Sequence, residues 1–184
     1  MQTGSIKGGT KTMNWLHKFG IKKSSTVTSD DGVQPASRVS DFLSPKTICF
    51  FHAGQSKQQV IGTLIGSLQL SDPNAALKAI LAREETGSTV IAPGLALPHA
   101  RVTGISSIQA ALGLSQNGIL DPKMSDPIHA FVLFLGPVDN MRGHLAFLAS
   151  ASALFQKEGF IQSLLHLHST EDVLSKIRKE EKTL

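Results

Sequence analysis

His129-Ala130-Phe131-Val132-Leu133-Phe134-Leu135 contains no Asp, Glu, Lys or Arg and no turn-forming residue. It is too short for a buried helix and shows no apolar–polar alternation, so it predicts a strand covered on both faces. Ile108 to Leu114 has the same character, and Thr47 to Phe51 reads as a shorter buried strand. Between and after these runs the spacing turns helical. Ser56-Lys57-Gln58-Gln59 has the form of a capping box ahead of Val60, Ile61, Leu64, Ile65 and Leu68. Gly62 and Gly66, four apart, mark a face of that helix suited to close packing. Asp72-Pro73 opens a second helix with an N-cap side chain and a proline at the first helical position. That helix turns Leu77, Ile80 and Leu81 inward and ends near Glu84–Thr86 at Gly87. Further helices are expected over Met141 to Phe155, Gly159 to His166 and Thr170 to Lys179, the last opened by Ser169 and Asp172. Strands alternating with helices predict an α/β domain, with a mixed or parallel sheet and helices on both sides.

The chain has 184 residues, 41% of them hydrophobic, enough for a core, and only 17% charged. Its formal charge of +4 is concentrated at one end. Residues 1–40 carry Lys7, Lys11, Lys18, Lys22, Lys23 and Arg38 against Asp30 and Asp31, while residues 41–184 balance. The basic character therefore describes an N-terminal extension and does not make the folded part a nucleic-acid binder. Tyr is absent and Trp occurs once, which argues against stacking platforms for single strands. Residues 1–39, rich in Gly, Ser, Thr and Lys, are expected to form a flexible basic extension, and residues 40–184 the domain. Within the extension, Met13 to Phe19 is a short amphipathic patch. The single cysteine, Cys49, lies in the apolar run Ile48-Cys49-Phe50-Phe51 and is expected to be a small buried hydrophobe. No apolar stretch approaches the roughly 20 residues of a spanning helix, and the N-terminus has no apolar secretory core, so a cytoplasmic location without stable membrane insertion is expected.

The chemistry is concentrated between Arg83 and Arg101, read as Arg83-Glu84-Glu85-Thr86-Gly87-Ser88-Thr89-Val90-Ile91-Ala92-Pro93-Gly94-Leu95-Ala96-Leu97-Pro98-His99-Ala100-Arg101. Pro98 stiffens the loop before His99, Gly87 and Gly94 permit tight turns, and Arg83 and Arg101 supply fixed positive charge. A neutral imidazole is a nucleophile, and a guanidinium pairs with phosphate oxygens in a fork. On these residues alone a Pro-His pair is common, and Arg83 reads equally as a cap on its own helix. His129 reads as structural. His166-Leu167-His168 has no carboxylate or thiol at a spacing that would complete a metal site. Gly87-Ser88-Thr89 lacks the Gly-Lys-Ser/Thr ending of a P-loop.

In order, Arg83-Glu84, Gly87-Ser88-Thr89 and Ala96-Leu97-Pro98-His99-Ala100 resemble the active-site signature of the fructose/mannitol-type IIA components of the bacterial sugar phosphotransferase system, with Gly87-Ser88-Thr89 closest to the nitrogen-regulatory branch. The likeness extends from about Val39 to the C-terminus. It implies a single mixed β-sheet flanked by helices on both sides, an α/β sandwich. It also implies that His99 is the phosphorylated nucleophile, supported by Arg83. His144, in His144-Leu145-Ala146-Phe147-Leu148, matches a second family histidine that faces the first. One stretch departs: the family usually reads Thr-Gly-Ile-Gly-Asn-Gly where this chain has Thr89-Val90-Ile91-Ala92-Pro93-Gly94. If those glycines serve positive φ, this loop must be built differently.

The resemblance implies a donor similar to HPr or its nitrogen-branch counterpart NPr, with no metal, nucleotide or other cofactor on this chain. Phosphate then passes to a sugar-specific IIB component, or the phosphorylated state regulates another protein. The lack of a fused IIB or membrane domain in the sequence tilts the expectation to the regulatory switch. A binding domain that keeps the fold without accepting phosphate is the further alternative, resting on the Val90–Pro93 departure.

Overall fold

A computed structural model of the chain describes residues 38–122 and 124–184. The Met13 to Phe19 patch, and the expected extension up to residue 37, lie outside the described residues. Val39 is already 1% exposed and part of the core, in a 3-10 turn over Val39–Phe42.

Among the described residues six strands form one mixed sheet. They are β1 (Ile48–Phe51), β2 (Val90–Ala92), β3 (Leu95–Ala96), β4 (His99–Val102), β5 (Gln109–Ile119) and β6 (Ile128–Pro137). At the centre β5 and β6 pair antiparallel, with Ala111 opposite Leu133. On the outer side of β5, β1 runs parallel to it as an edge. On the other side of β6, β3 and β4 follow one another along the same strand, both parallel to it. Leu95 faces Ala130 and His99 faces Phe134, so both strands keep the same offset of 35 residues. Leu95–Val102 is thus one extended path along β6, interrupted where Pro98 has no N–H to give. The Pro98 carbonyl accepts from the Phe134 N–H at 3.0 Å and keeps the two in step.

Both faces of the sheet are covered, as the uniformly apolar strands require. Alternate residues of β6 go to opposite sides. Ala130, Val132 and Phe134 join a core with α3 (Met141–Phe155), α4 (Phe160–Leu165) and α5 (Thr170–Glu181). Phe131, Leu133 and Leu135 join a second core with α1 (Lys57–Ser67) and α2 (Pro73–Glu85). The helix starts follow from their first residues. Ser56 and Gln59 form the reciprocal capping box, Asp72 accepts from the Ala75 N–H, and Asn140 accepts from the Gly143 N–H. Ser169 caps α5 by accepting from the Asp172 N–H.

Three expectations are corrected. A Cβ at Gly62 or Gly66 would meet nothing within 4 Å. Val60, Ile61, Leu64 and Ile65 take the buried side of α1, so the two glycines face open space rather than a packed neighbour. In α2, Ala76 and Ile80 carry the burial while Leu77 and Leu81 are only partly covered. Cys49 is half-buried because β1 is an edge strand, where Phe50 is 40% exposed. Burial still pushes the Cys49 thiol up, against a smaller opposing effect of Ser67.

The departure at Val90–Pro93 also has a structural account. Val90–Ala92 is a strand paired antiparallel to Leu95–Ala96, and Pro93-Gly94 forms the tip. Gly94 takes the positive φ of +76° that the turn requires, so residues 90 and 92 serve as strand residues with no need of glycine.

Candidate functional site

Strand alternation places His99 on the side of the sheet that carries Leu95 and Leu97 into the α3 core. The apolar stripe ends there. His99, on β4 rather than in the loop its sequence context predicts, is 7% exposed, and its ring stacks on Phe134 with centroids 5.4 Å apart. His144 comes from the first turn of α3, on the same side, and is 6% exposed. The two imidazoles meet edge to face with centroids 5.3 Å apart, and the Phe134 ring lies 4.8 Å from His144. The expected juxtaposition of His99 and His144 is therefore present, with a phenyl ring as their common wall.

Hydrogen bonding distinguishes the nitrogens. His99 Nδ1 lies 2.8 Å from the Leu97 carbonyl oxygen. A carbonyl can only accept, so Nδ1 carries the proton and the lone pair sits on Nε2. Among the described residues, His144 Nδ1 is buried with no hydrogen-bond partner. An N–H there would be an unsatisfied buried donor, so the His144 proton belongs on Nε2. The seat of that ring is Gly136: a Cβ there would fall 2.7 Å from His144 Nδ1. Only glycine at this strand position lets the imidazole lie against the sheet.

Electrostatics keeps both rings neutral near pH 7. Burial lowers the His99 pKa, the Leu97 hydrogen bond opposes this, Arg83 lowers it further and Glu84 raises it. His144 is lowered to about 4, by burial first and then by His99 and Arg101. The unfolded chain therefore binds more protons than the folded one between pH 6.5 and about 4. Stability from this source is complete above pH 6.5 and lost as the pH falls toward about 4, and the lowered His99 pKa acts with the same sign. Thermal melting between about pH 7 and about pH 4.5 should show a smaller fall in Tm for His144→Gln than for the native chain; equal falls would remove His144 from this account.

Arg83 lies at the C-terminal end of α2. Its Nη1 donates to the Gly87 carbonyl at 3.0 Å and to the Thr86 hydroxyl at 3.3 Å. The helix-cap reading of Arg83 thus holds in this structure, and its charge also acts on His99. Arg101, two residues beyond His99, donates to the Val138 carbonyl at 3.0 Å and ties β4 to the turn before α3. His129 places Nδ1 2.9 Å from the Ser115 carbonyl, a cross-strand contact away from the two imidazoles.

Sequence reasoning missed Phe134 and Gly136 as neighbours of the site. Phe134 is one of several interchangeable apolar residues in the decisive strand. Gly136 gives a local signal only once β6 is known to run beneath His144.

Comparison with known proteins identifies the family. Residues 41–180 match the family described as "Phosphoenolpyruvate-dependent sugar phosphotransferase system, EIIA 2". The fructose-specific EIIABC component of Bacillus subtilis is 27% identical over 150 residues, which cover 79% of this chain and 24% of that protein. This chain thus spans about a quarter of that relative's length. The fructose-specific EIIA component of Haloferax volcanii is 30% identical over 113 residues, covering 59% of this chain and 73% of the relative. The nitrogen regulatory protein of Pseudomonas aeruginosa is 29% identical over 125 residues, covering 65% and 81%. Among solved structures, nitrogen regulatory protein IIA-Ntr from Neisseria meningitidis superposes with a TM-score of 0.68 at 22% identity, covering 77% of this chain and 99% of its own. With the match running through residues 41–180 and the mixed sheet shared with IIA-Ntr, the chain belongs to the EIIA 2 family of the phosphoenolpyruvate-dependent sugar phosphotransferase system.

Proposed function

We propose that the chain is a phosphocarrier in which His99 Nε2 accepts a phosphoryl group from the phosphohistidine of an HPr-like or NPr-like protein. The observation that supports this most directly is the Nδ1 contact to Leu97, which leaves the Nε2 lone pair as the nucleophile. Nε2 attacks phosphorus in line as the donor's N–P bond breaks, and the donor imidazole leaves with that electron pair. Positive charge building on the His99 ring is stabilised by the Leu97 carbonyl at Nδ1. His144, neutral and with its proton on Nε2, gives a hydrogen-bond donor to the transferring oxygens, and Arg83 supplies charge. No metal or nucleotide takes part on this chain. The phosphoryl group then moves to a IIB component or serves as a nitrogen or metabolic signal.

The test is intact mass after incubation with phosphoenolpyruvate, the general phosphotransferase enzyme I and an HPr-like carrier. Gain of one acid-labile phosphoryl group is expected. No gain with several active carriers would leave a binding domain that no longer accepts phosphate. With phosphorylated chain in hand, discharge by a separate sugar-specific IIB component marks a transport relay. Retention of phosphate, with altered binding to a target protein, marks the regulatory switch.

A further inference from the structure

Where α1 begins, α2 ends and β5 has just finished, three residues distant in sequence form a covered ionic cluster. Lys57 Nζ, at the start of α1, donates to Glu84 Oε2 at 2.6 Å and to Asp121 Oδ2 at 3.0 Å. Their side chains are 11%, 15% and 7% exposed, so solvent screens the cluster poorly. The other oxygen of Glu84 accepts from the hydroxyl of Thr89, a fully buried residue. Thr89 stands where the chain enters β2, beside Leu97. Its own carbonyl accepts the Leu97 N–H at 2.9 Å. The Leu97 carbonyl in turn accepts from His99 Nδ1 at 2.8 Å.

Taking His99 as the phosphoryl acceptor, as proposed above, we infer that Glu84 and Thr89 are positioning residues for it, because they anchor residue Leu97, whose carbonyl sets the plane and the tautomer of the ring. The path has a direction at every step. Lys57 fixes the Glu84 carboxylate. The carboxylate orders the Thr89 hydroxyl, which has to find an acceptor in a dry site. The Thr89 backbone carbonyl then holds the Leu97 N–H and fixes Leu97 against β2, while the carbonyl of the next peptide unit, Leu97–Pro98, faces His99. Pro98 adds no N–H of its own, and its carbonyl is held by the Phe134 N–H. The segment before His99 is therefore fixed from β2 and from β6 by backbone bonds, and on the β2 side the residue that accepts is itself tied down through its hydroxyl to Glu84. Glu84 does not reach the reacting atoms in this scheme and acts through Thr89 and Leu97.

The decisive measurement is the pair of ring-nitrogen NMR shifts of His99, read alongside the rate of phosphorylation by the HPr-like carrier. In the native chain the shifts should report the form protonated on Nδ1. Thr89→Val removes the hydroxyl at nearly constant volume, and Glu84→Gln keeps an acceptor but removes the charge that holds it. In both, the shifts should move toward a mixture of tautomers, and transfer should slow about tenfold in Thr89→Val. Thr89→Ser should restore both readouts. Native ring shifts in Thr89→Val and Glu84→Gln would overturn the inference. So would earlier melting of both variants with the ring still in its native tautomer, because the cluster would then only hold the fold together. A native chain that takes up no phosphate would sink the carrier reading, yet the NMR comparison would still decide the positioning role.

Discussion

His99→Gln is expected to take up no phosphate, a loss of at least about a thousandfold, the scale seen when a nucleophile is removed from a preorganised site. The neighbouring imidazole should not replace it. The lone pair of His144 sits on Nδ1, which is sealed against Gly136, and the other nitrogen carries the proton. Glutamine is the informative substitute because His99 lies on a strand and is 7% exposed, so truncation is not silent as it would be in a loop. His99→Ala would also forfeit the stack on Phe134 and leave a void, with an expected cost of about 1–3 kcal/mol. Intact mass gives the first result and thermal melting the second. Phosphate on the His99→Gln chain, mapped to His144, would reverse the assignment of roles.

Phe134→Ala is expected to be the most damaging single change for stability, at about 3–5 kcal/mol. The ring is fully buried and touches three others: His99 at 5.4 Å, His144 at 4.8 Å and Phe147 at 4.6 Å between centroids. Against a typical total of about 5–15 kcal/mol, such a loss should shift the urea midpoint far enough to read without ambiguity. The same change removes the wall shared by both imidazoles, so phosphorylation should fall even in the fraction that stays folded. Phe134→Leu, which keeps much of the volume, should recover most of the stability and less of the transfer. A urea midpoint unchanged by Phe134→Ala would show that the β6–α3 core closes over the gap.

Much of the fold was legible because its physical signals are local. The apolar runs at 129–135 and 108–114 became the two central strands, and the capping residues Ser56, Asp72 and Ser169 each accept the N–H their position predicts. Cys49 and the Gly62/Gly66 pair were misread for a common reason: composition does not say which strand is at an edge or which side of a helix meets the sheet. In the site, the order of residue types from Arg83 to His99 pointed to the two histidines through a family resemblance. Glu84 lay in that signature, but its pairing with Lys57 and Asp121 had no such signal, since those two come from separate elements and each is ordinary in its own surroundings. The altered loop at Val90–Pro93 could be understood only once its pairing with β3 was visible.

The shared offset along β6 also bears on how this domain can change length. Because side chains alternate, one residue added or removed between Leu95 and His99 would turn the histidine to the α2 side and send Pro98 or Ala100 into its place. The two-layered core would survive in outline while His99 faced the wrong layer. Connections outside that ladder, such as the one at 103–107, carry no such penalty. Descendants of this sequence should therefore tolerate insertions and deletions in those connections and keep the distance from residue 95 to residue 102 constant, whatever else drifts.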